Sequence, residues 1–272
     1  MMNLKKLFVV GAVLVMASTT ANAELVNGVR QRPNVAKAEA FQADVGFYLF
    51  NTKARMFFVG ANDWNTRASV ATTGYKVKFL TVEDKTIAPA GTYEFTDSVL
   101  TKNNQWLSVF STNDGGAIWV DNANETYRYW EVVTQPNGTY RISNNKLDTD
   151  LTDAQSEHSI AGKYLGWAGS DADTRLYFVD PAAEGAGVEW VFVTEETYTA
   201  WTEAWAAMKD QFNAAAELLT YINSAKEKNV DVAAEIDIYE NEDATVEQLN
   251  AAIVAVQKKI NEALGGNASI SR

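Results

Sequence analysis

A pattern recurs three times between Gly46 and Val193, in the same order each time. The first copy runs Gly46-Phe-Tyr48, then Phe57-Phe58-Val59-Gly60, then Asp63-Trp64-Asn65-Thr66-Arg67, and closes on Val77-Lys-Phe79. The second runs Gly91-Thr-Tyr93, Trp106-Leu107-Ser-Val109, Asn113-Asp114-Gly115-Gly116, Ile118-Trp119-Val120, and closes on Trp130-Glu-Val132. The third runs Gly138-Thr-Tyr140, Tyr164-Leu165-Gly-Trp167, Asp171-Ala-Asp173-Thr174-Arg175, and closes on Trp190-Val-Phe192. The opening tyrosines stand 45 and 47 residues apart. Each copy carries about four short runs of Tyr, Phe, Trp, Thr and Val broken by Gly and Asn-Asp turns, which is the pattern of short strands. Three such units predict a β-trefoil; a six-bladed propeller needs about twice the length, and a single sandwich has no threefold echo. On this alignment Phe79, Trp130 and Trp190 fill the interior. The third copy is longer because of Asn144 to Gly162, a polar insertion holding Asp148, Asp150, Asp153 and His158.

Composition changes sharply after this region. Residues 24–187 hold thirteen glycines and all four prolines, whereas Val188 to Leu264 has neither. Thr194 is placed to cap a helix, with Glu195 and Glu196 in its first turn. Trp205, Met208, Phe212, Ala216, Leu219 and Ile222 keep the spacing of one helical face for roughly eight turns. Asp231 caps a short second helix to about Tyr239. Thr245 and Gln248 form a capping box for a third, striped by Val246, Leu249, Ile253, Val256, Ile260 and Leu264. Short connections between three apolar stripes predict an antiparallel three-helix bundle. The fold class expected is therefore multidomain β + α. Its parts are a leader over 1–23, an N-terminal extension over 24–42, the trefoil over 43–194, the helical module over 195–264 and a linker or tail over 265–272.

The leader is read from Lys5 and Lys6, the 11-residue apolar run Leu7 to Ala17, and the small-x-small site Ala21-Asn22-Ala23. That is the form of a secretory signal peptide, and the run is about half of what a bilayer requires. The protein is expected to be exported, to begin near Glu24, and to sit in the periplasm, at the cell surface or outside. The full chain carries a formal charge of −12. That charge and the lack of a basic cluster after the leader argue against nucleic acid and anionic lipid as partners. No later stretch is apolar enough for membrane insertion.

Much chemistry is excluded by residue type. The chain has no cysteine and one histidine, which removes thiolate nucleophiles, Cys-ligated metals and multi-His sites. No G-x-S-x-G, Walker loop, G-x-G-x-x-G or H-E-x-x-H is present. Asp148, Asp150 and Asp153 lack the central Gly and closing Glu of a calcium loop. The reading is of a non-enzyme with no catalytic residue, cofactor or metal. What remains is a pair of matching turns, Asp63, Trp64, Asn65 and Arg67 in the first copy and Asp171, Asp173 and Arg175 in the third, with Trp167 nearby in sequence. Carboxylates, an amide, guanidinium forks and indole rings are the inventory that a sugar's hydroxyls and apolar faces require.

The order Gly46-Phe-Tyr48-Leu-Phe-Asn51, Phe57-Phe58-Val59-Gly60, Asn-Asp-Trp-x-Thr-Arg-Ala-Ser and closing Trp-x-x-Val, over about residues 43–194, resembles the ricin-type β-trefoil domains of secreted bacterial proteins. That resemblance implies a lectin-like domain binding carbohydrate or glycoprotein through an Asp or Asn and a ring in each copy. The segment from about Asn213 to Leu264 resembles the FIVAR-type helical modules of bacterial surface proteins, which implies a spacer. The function expected is exported, non-catalytic carbohydrate binding. The alternatives are an accessory N-terminal part of a larger secreted glycoside hydrolase and a structural surface adhesin or spacer.

Overall fold

The computed structural model describes residues 24–61, 63–84, 86, 88–97, 106–109, 118–122, 127–144 and 159–268, with the backbone alone at Asp63, Asp121, Asn122 and 266–268. The leader, the second copy's turn 113–116, and the loop residues Asp148, Asp150, Asp153 and His158 lie outside the described residues. Among the described residues the chain divides into two compact units, one over 35–199 and one joining 24–34 to 200–268.

In the first unit, copy one contributes β3 (Phe47–Asn51), β4 (Met56–Ala61), β5 (Arg67–Ala71) and β6 (Lys76–Thr81). Copy two contributes β7 (Tyr93–Asp97), β8 (Trp106–Val109), β9 (Ile118–Asn122) and β10 (Tyr129–Thr134). Copy three contributes β11 (Tyr140–Ser143), β12 (Tyr164–Trp167), β13 (Leu176–Val179) and β14 (Trp190–Val193). The outer strands of each copy pair in the ring β3–β6–β7–β10–β11–β14 and back to β3, a closed six-stranded barrel. The inner strands form three hairpins, β4–β5, β8–β9 and β12–β13. A barrel closed by the outer strands of three repeats, with three hairpins between them, is a β-trefoil-like architecture, and closure leaves the barrel without a free edge.

The register corrects the sequence alignment in copy one. Phe47 pairs with Val77 as Tyr93 pairs with Trp130 and Tyr140 with Trp190. Val77, rather than Phe79, is thus the counterpart of the two tryptophans, and Tyr48 stands one place out of step. Side chains two apart on a strand share a face, so Val77 and Phe79 both point inward and spacing alone could not choose between them. Phe79, Trp130 and Trp190 are all buried, as expected of interior residues. The indoles of Trp130 and Trp190 donate to the carbonyls of Leu107 (2.7 Å) and Leu165 (2.8 Å), which ties each closing strand to its own hairpin. Phe79 stacks instead on Phe95, with centroids 4.4 Å apart. Tyr48 faces outward and stacks on Tyr198 at 3.8 Å. The segment read as an extension is divided between the units: Phe41 packs on Phe79, Tyr93 and Phe192 of the barrel.

The second unit holds a small hairpin, β1 (Leu25–Val26) with β2 (Val29–Arg30). Its helices are α1 (Glu195–Glu227, whose first residues lie in the trefoil unit), α2 (Ala233–Glu240) and α3 (Val246–Ala268). Two of the three caps act as read: Thr194 Oγ accepts from the Thr197 amide, and Thr245 and Gln248 exchange both bonds of a capping box. The α2 cap does not: its N-cap is Val232, with no side-chain bond, and Asp231 one residue earlier accepts from the Ala233 amide as a local turn. All three helices contribute to one apolar cluster that includes Leu218, Ile222, Tyr239, Leu249 and Val256. The buried stripe of α1 slips by one residue, to Ala215 and Leu218, leaving Ala216 exposed, and Leu264 of α3 is exposed as well. Arg30 from the hairpin is buried and donates to the carbonyls of Tyr239 and Asn241 at the end of α2, which no helical periodicity could have signalled.

Candidate functional site

The turn between β4 and β5 carries the first predicted group. Asp63–Asn65 forms one short 3-10 turn in which Trp64 has φ 64° and ψ 21°, and Asn65 follows at φ 63°. Two consecutive left-handed residues reverse the chain tightly, an arrangement that suits Asn and is uncommon for a bulky residue such as Trp. Gly60 makes room beneath: a Cβ there would meet Val120 Cγ2 at 2.6 Å and the Asn65 carbonyl at 2.9 Å. Trp64 is 88% exposed, and Asn65 is exposed beside it.

Arg67 points the other way. It is only 6% exposed, donates to the Ile118 carbonyl at 3.4 Å, and lies 5.3 Å from the Trp119 ring and 5.5 Å from the Tyr177 ring. This cation joins the hairpins of all three copies from within, as a packed guanidinium with an apolar stem. The backbone beside it has the same task, since the Thr66 carbonyl accepts from the Val120 amide at 2.7 Å.

The third copy repeats that backbone role, with Thr174 accepting from the Val70 amide at 2.8 Å. Its side chains bond to one another. Arg175 holds Asp173 through Nε (2.8 Å) and Nη2 (3.0 Å), and the Tyr177 hydroxyl donates to the same carboxylate at 2.7 Å. The Arg175 fork, then the Tyr177 hydroxyl, pulls the Asp173 carboxyl well below its usual value against the opposing effect of burial. Burial, then the bond to Asp173, raises the Tyr177 hydroxyl. Asp171 is exposed, and Ala172 stands where copy one has Trp64. Trp167 is part of the barrel core, with its indole donating to the Ser170 carbonyl at 3.0 Å, so it offers no open ring face.

The structure therefore separates the predicted residues. Trp64 and Asn65 face solvent, whereas Arg67 is buried in the hairpin layer and shares Tyr177 with the partly exposed Asp173–Arg175 pair. Sequence reading missed Trp119 and Tyr177, whose signal was an aromatic at the matching position of β9 and β13, where β5 has Ser69. It also missed Tyr75, which is partly exposed, donates to the Gly60 carbonyl at 3.2 Å and brings Cε2 within 3.3 Å of the Gly60 Cβ position. Tyr75 thus reaches the same turn as Trp64. Among the described residues no group of three or more acidic or histidine side chains is placed to hold a metal ion, and no helix is long and apolar enough to cross a membrane.

No protein-family model and no curated protein matches the chain. Among solved structures, it is similar over 61% of its length to a GH43 β-1,3-galactosidase at 14% identity and a TM-score of 0.39, spanning 32% of that enzyme's chain. It is similar over 55% of its length to ThreeFoil, a designed threefold-symmetric protein, at 17% identity and 0.34, spanning 98% of that chain. It is similar over 57% to the BEL β-trefoil at 11% identity and 0.36, spanning 96% of that chain. The strand pairing described above, rather than these overlaps, defines the fold.

Proposed function

We propose that the chain is an exported, non-catalytic carbohydrate-binding protein, a ricin-type trefoil carried on an antiparallel three-helix spacer of the FIVAR kind. Sugar contact is assigned to Trp64 and Asn65. The observation that carries this reading is Trp64 itself, an 88% exposed indole held at a positive φ. A bulky residue in that conformation costs on the order of 1–3 kcal/mol, and among the described residues the ring makes no stacking or hydrogen-bonding contact in return. Strain and exposure kept together on a surface turn are features of residues that meet a ligand. An indole face covers the apolar face of a pyranose, and the neighbouring amide offers one acceptor and two donors to its hydroxyls.

A glycan array probed with the purified protein, with Trp64→Ala and with Arg175→Ala tests this. Binding by the parent and by Arg175→Ala, lost in Trp64→Ala, is the expected result. Absence of binding to every glycan, or equal binding by Trp64→Ala, would overturn it.

A further inference from the structure

We infer that the ligand, on the reading that Trp64 binds sugar, is the interior of a neutral polysaccharide chain, and that Tyr75 is the second ring selecting it. Three observations lead there. The first concerns charge. Recognition of an acidic sugar needs a cation free to pair with its carboxylate or sulfate. Both arginines of the matching turns are engaged elsewhere, Arg67 within the hairpin layer and Arg175 on Asp173. The whole chain is at −12 besides, so an acidic polymer is repelled at long range.

The second concerns shape. A pocket that reads a chain end must enclose it with walls on several sides. Trp64 instead stands at 88% exposure on a short hairpin turn, and among the described residues no ring stacks on it and no hydrogen bond holds it.

The third is the neighbour. Tyr75 holds its hydroxyl on the Gly60 carbonyl and its ring against Gly60, while the Asn65 carbonyl covers the same glycine. The Tyr75 ring is thereby held beside the turn by its hydroxyl, and the side chain stays 36% exposed. Two rings separated along a surface suit successive residues of an extended chain, each ring contact being of the size of an aromatic pair, about 0.5–1.5 kcal/mol. Copy three lacks this arrangement, having Ala172 for Trp64 and a carboxylate already occupied for Asn65.

Affinity electrophoresis of the full chain decides it, with gels cast in xylan, mannan or β-glucan and, in parallel, alginate or polygalacturonate. The parent should be retarded by at least one neutral polymer and by neither acidic one, and the free monosaccharide of the retarding polymer should fail to compete. Tyr75→Ala should weaken retardation about three- to tenfold. Tyr75→Phe keeps the ring and guards against a folding defect, so it should weaken retardation less. Full competition by the monosaccharide would overturn the inference in favour of an end-reading pocket, and retardation by an acidic polymer alone would overturn it on charge. Unchanged retardation in Tyr75→Ala would remove Tyr75 from the site. Array binding to short glycans without retardation by any polymer would overturn this inference while leaving the proposed function standing; no binding in either assay would overturn both.

Discussion

The turns of copies one and three share Thr-Arg at the same place in the same hairpin, yet they are put to different uses. Their backbones do one job, since Thr66 and Thr174 each pass a carbonyl to the next copy's strand, at 2.7 and 2.8 Å. Their arginines diverge: Arg67 is packed between two rings in the hairpin layer, and Arg175 closes a partly exposed fork on Asp173. Among the described side chains of that turn, Trp64 and Asn65 are exposed in copy one, and Ala172 stands in copy three where Trp64 stands here. Repetition therefore marks what holds the trefoil together. The residue with a candidate role is the one that breaks the repetition.

The largest effects should come from the core positions that the register makes equivalent. Trp190→Ala removes a fully buried ring and the donor to Leu165, and should cost about 3–5 kcal/mol, while Val77→Ala at the matching place should cost about 2 kcal/mol. Urea unfolding of both variants checks the pairing; a larger loss for Val77→Ala would contradict it. Next in size is the contrast between the two arginines. Arg67→Ala should cost about 2–4 kcal/mol through lost packing and an unsatisfied Ile118 carbonyl, whereas Arg175→Ala should cost less than about 1 kcal/mol because its fork is partly in water. Equal losses would show that the two turns are used alike.

A smaller effect separates them by pH. The Asp173 carboxyl titrates below its unfolded value of about 3.8, so its contribution is present above that pH and is lost as pH falls through and below it. The thermal midpoint of the parent should therefore drop more steeply below about pH 4 than that of Asp173→Asn, with parallel curves above about pH 5. Parallel curves throughout would mean that the fork is not formed in solution.

The trefoil-like barrel was legible because the same order of strands and turns recurs in each copy, and two of the helix caps because Thr194, Thr245 and Gln248 act through local backbone geometry; the cap read at Asp231 falls instead on Val232. What spacing could not resolve was a choice between residues on one strand face, hence Phe79 for Val77, or a single-residue slip along a helix, hence Ala216 for Ala215. The candidate site was half legible. Motif matching found the turns, but a guanidinium reads the same whether it faces water or a pair of rings, so Arg67, Asp173 and Arg175 were grouped with Trp64. Tyr75 was invisible because its link to the turn runs through Gly60, fifteen positions away. Arg30 was invisible for the same reason, its partners lying more than two hundred residues along the chain.

The central claim is that Trp64 is retained for a ligand at a cost to the fold. Trp64→Gly tests it most directly, because glycine adopts the observed φ of 64° without strain. Measured together, its unfolding free energy from urea titration should be unchanged or raised by up to about 1 kcal/mol while glycan binding is lost. A lowered unfolding free energy, or binding equal to that of the parent, would contradict the account.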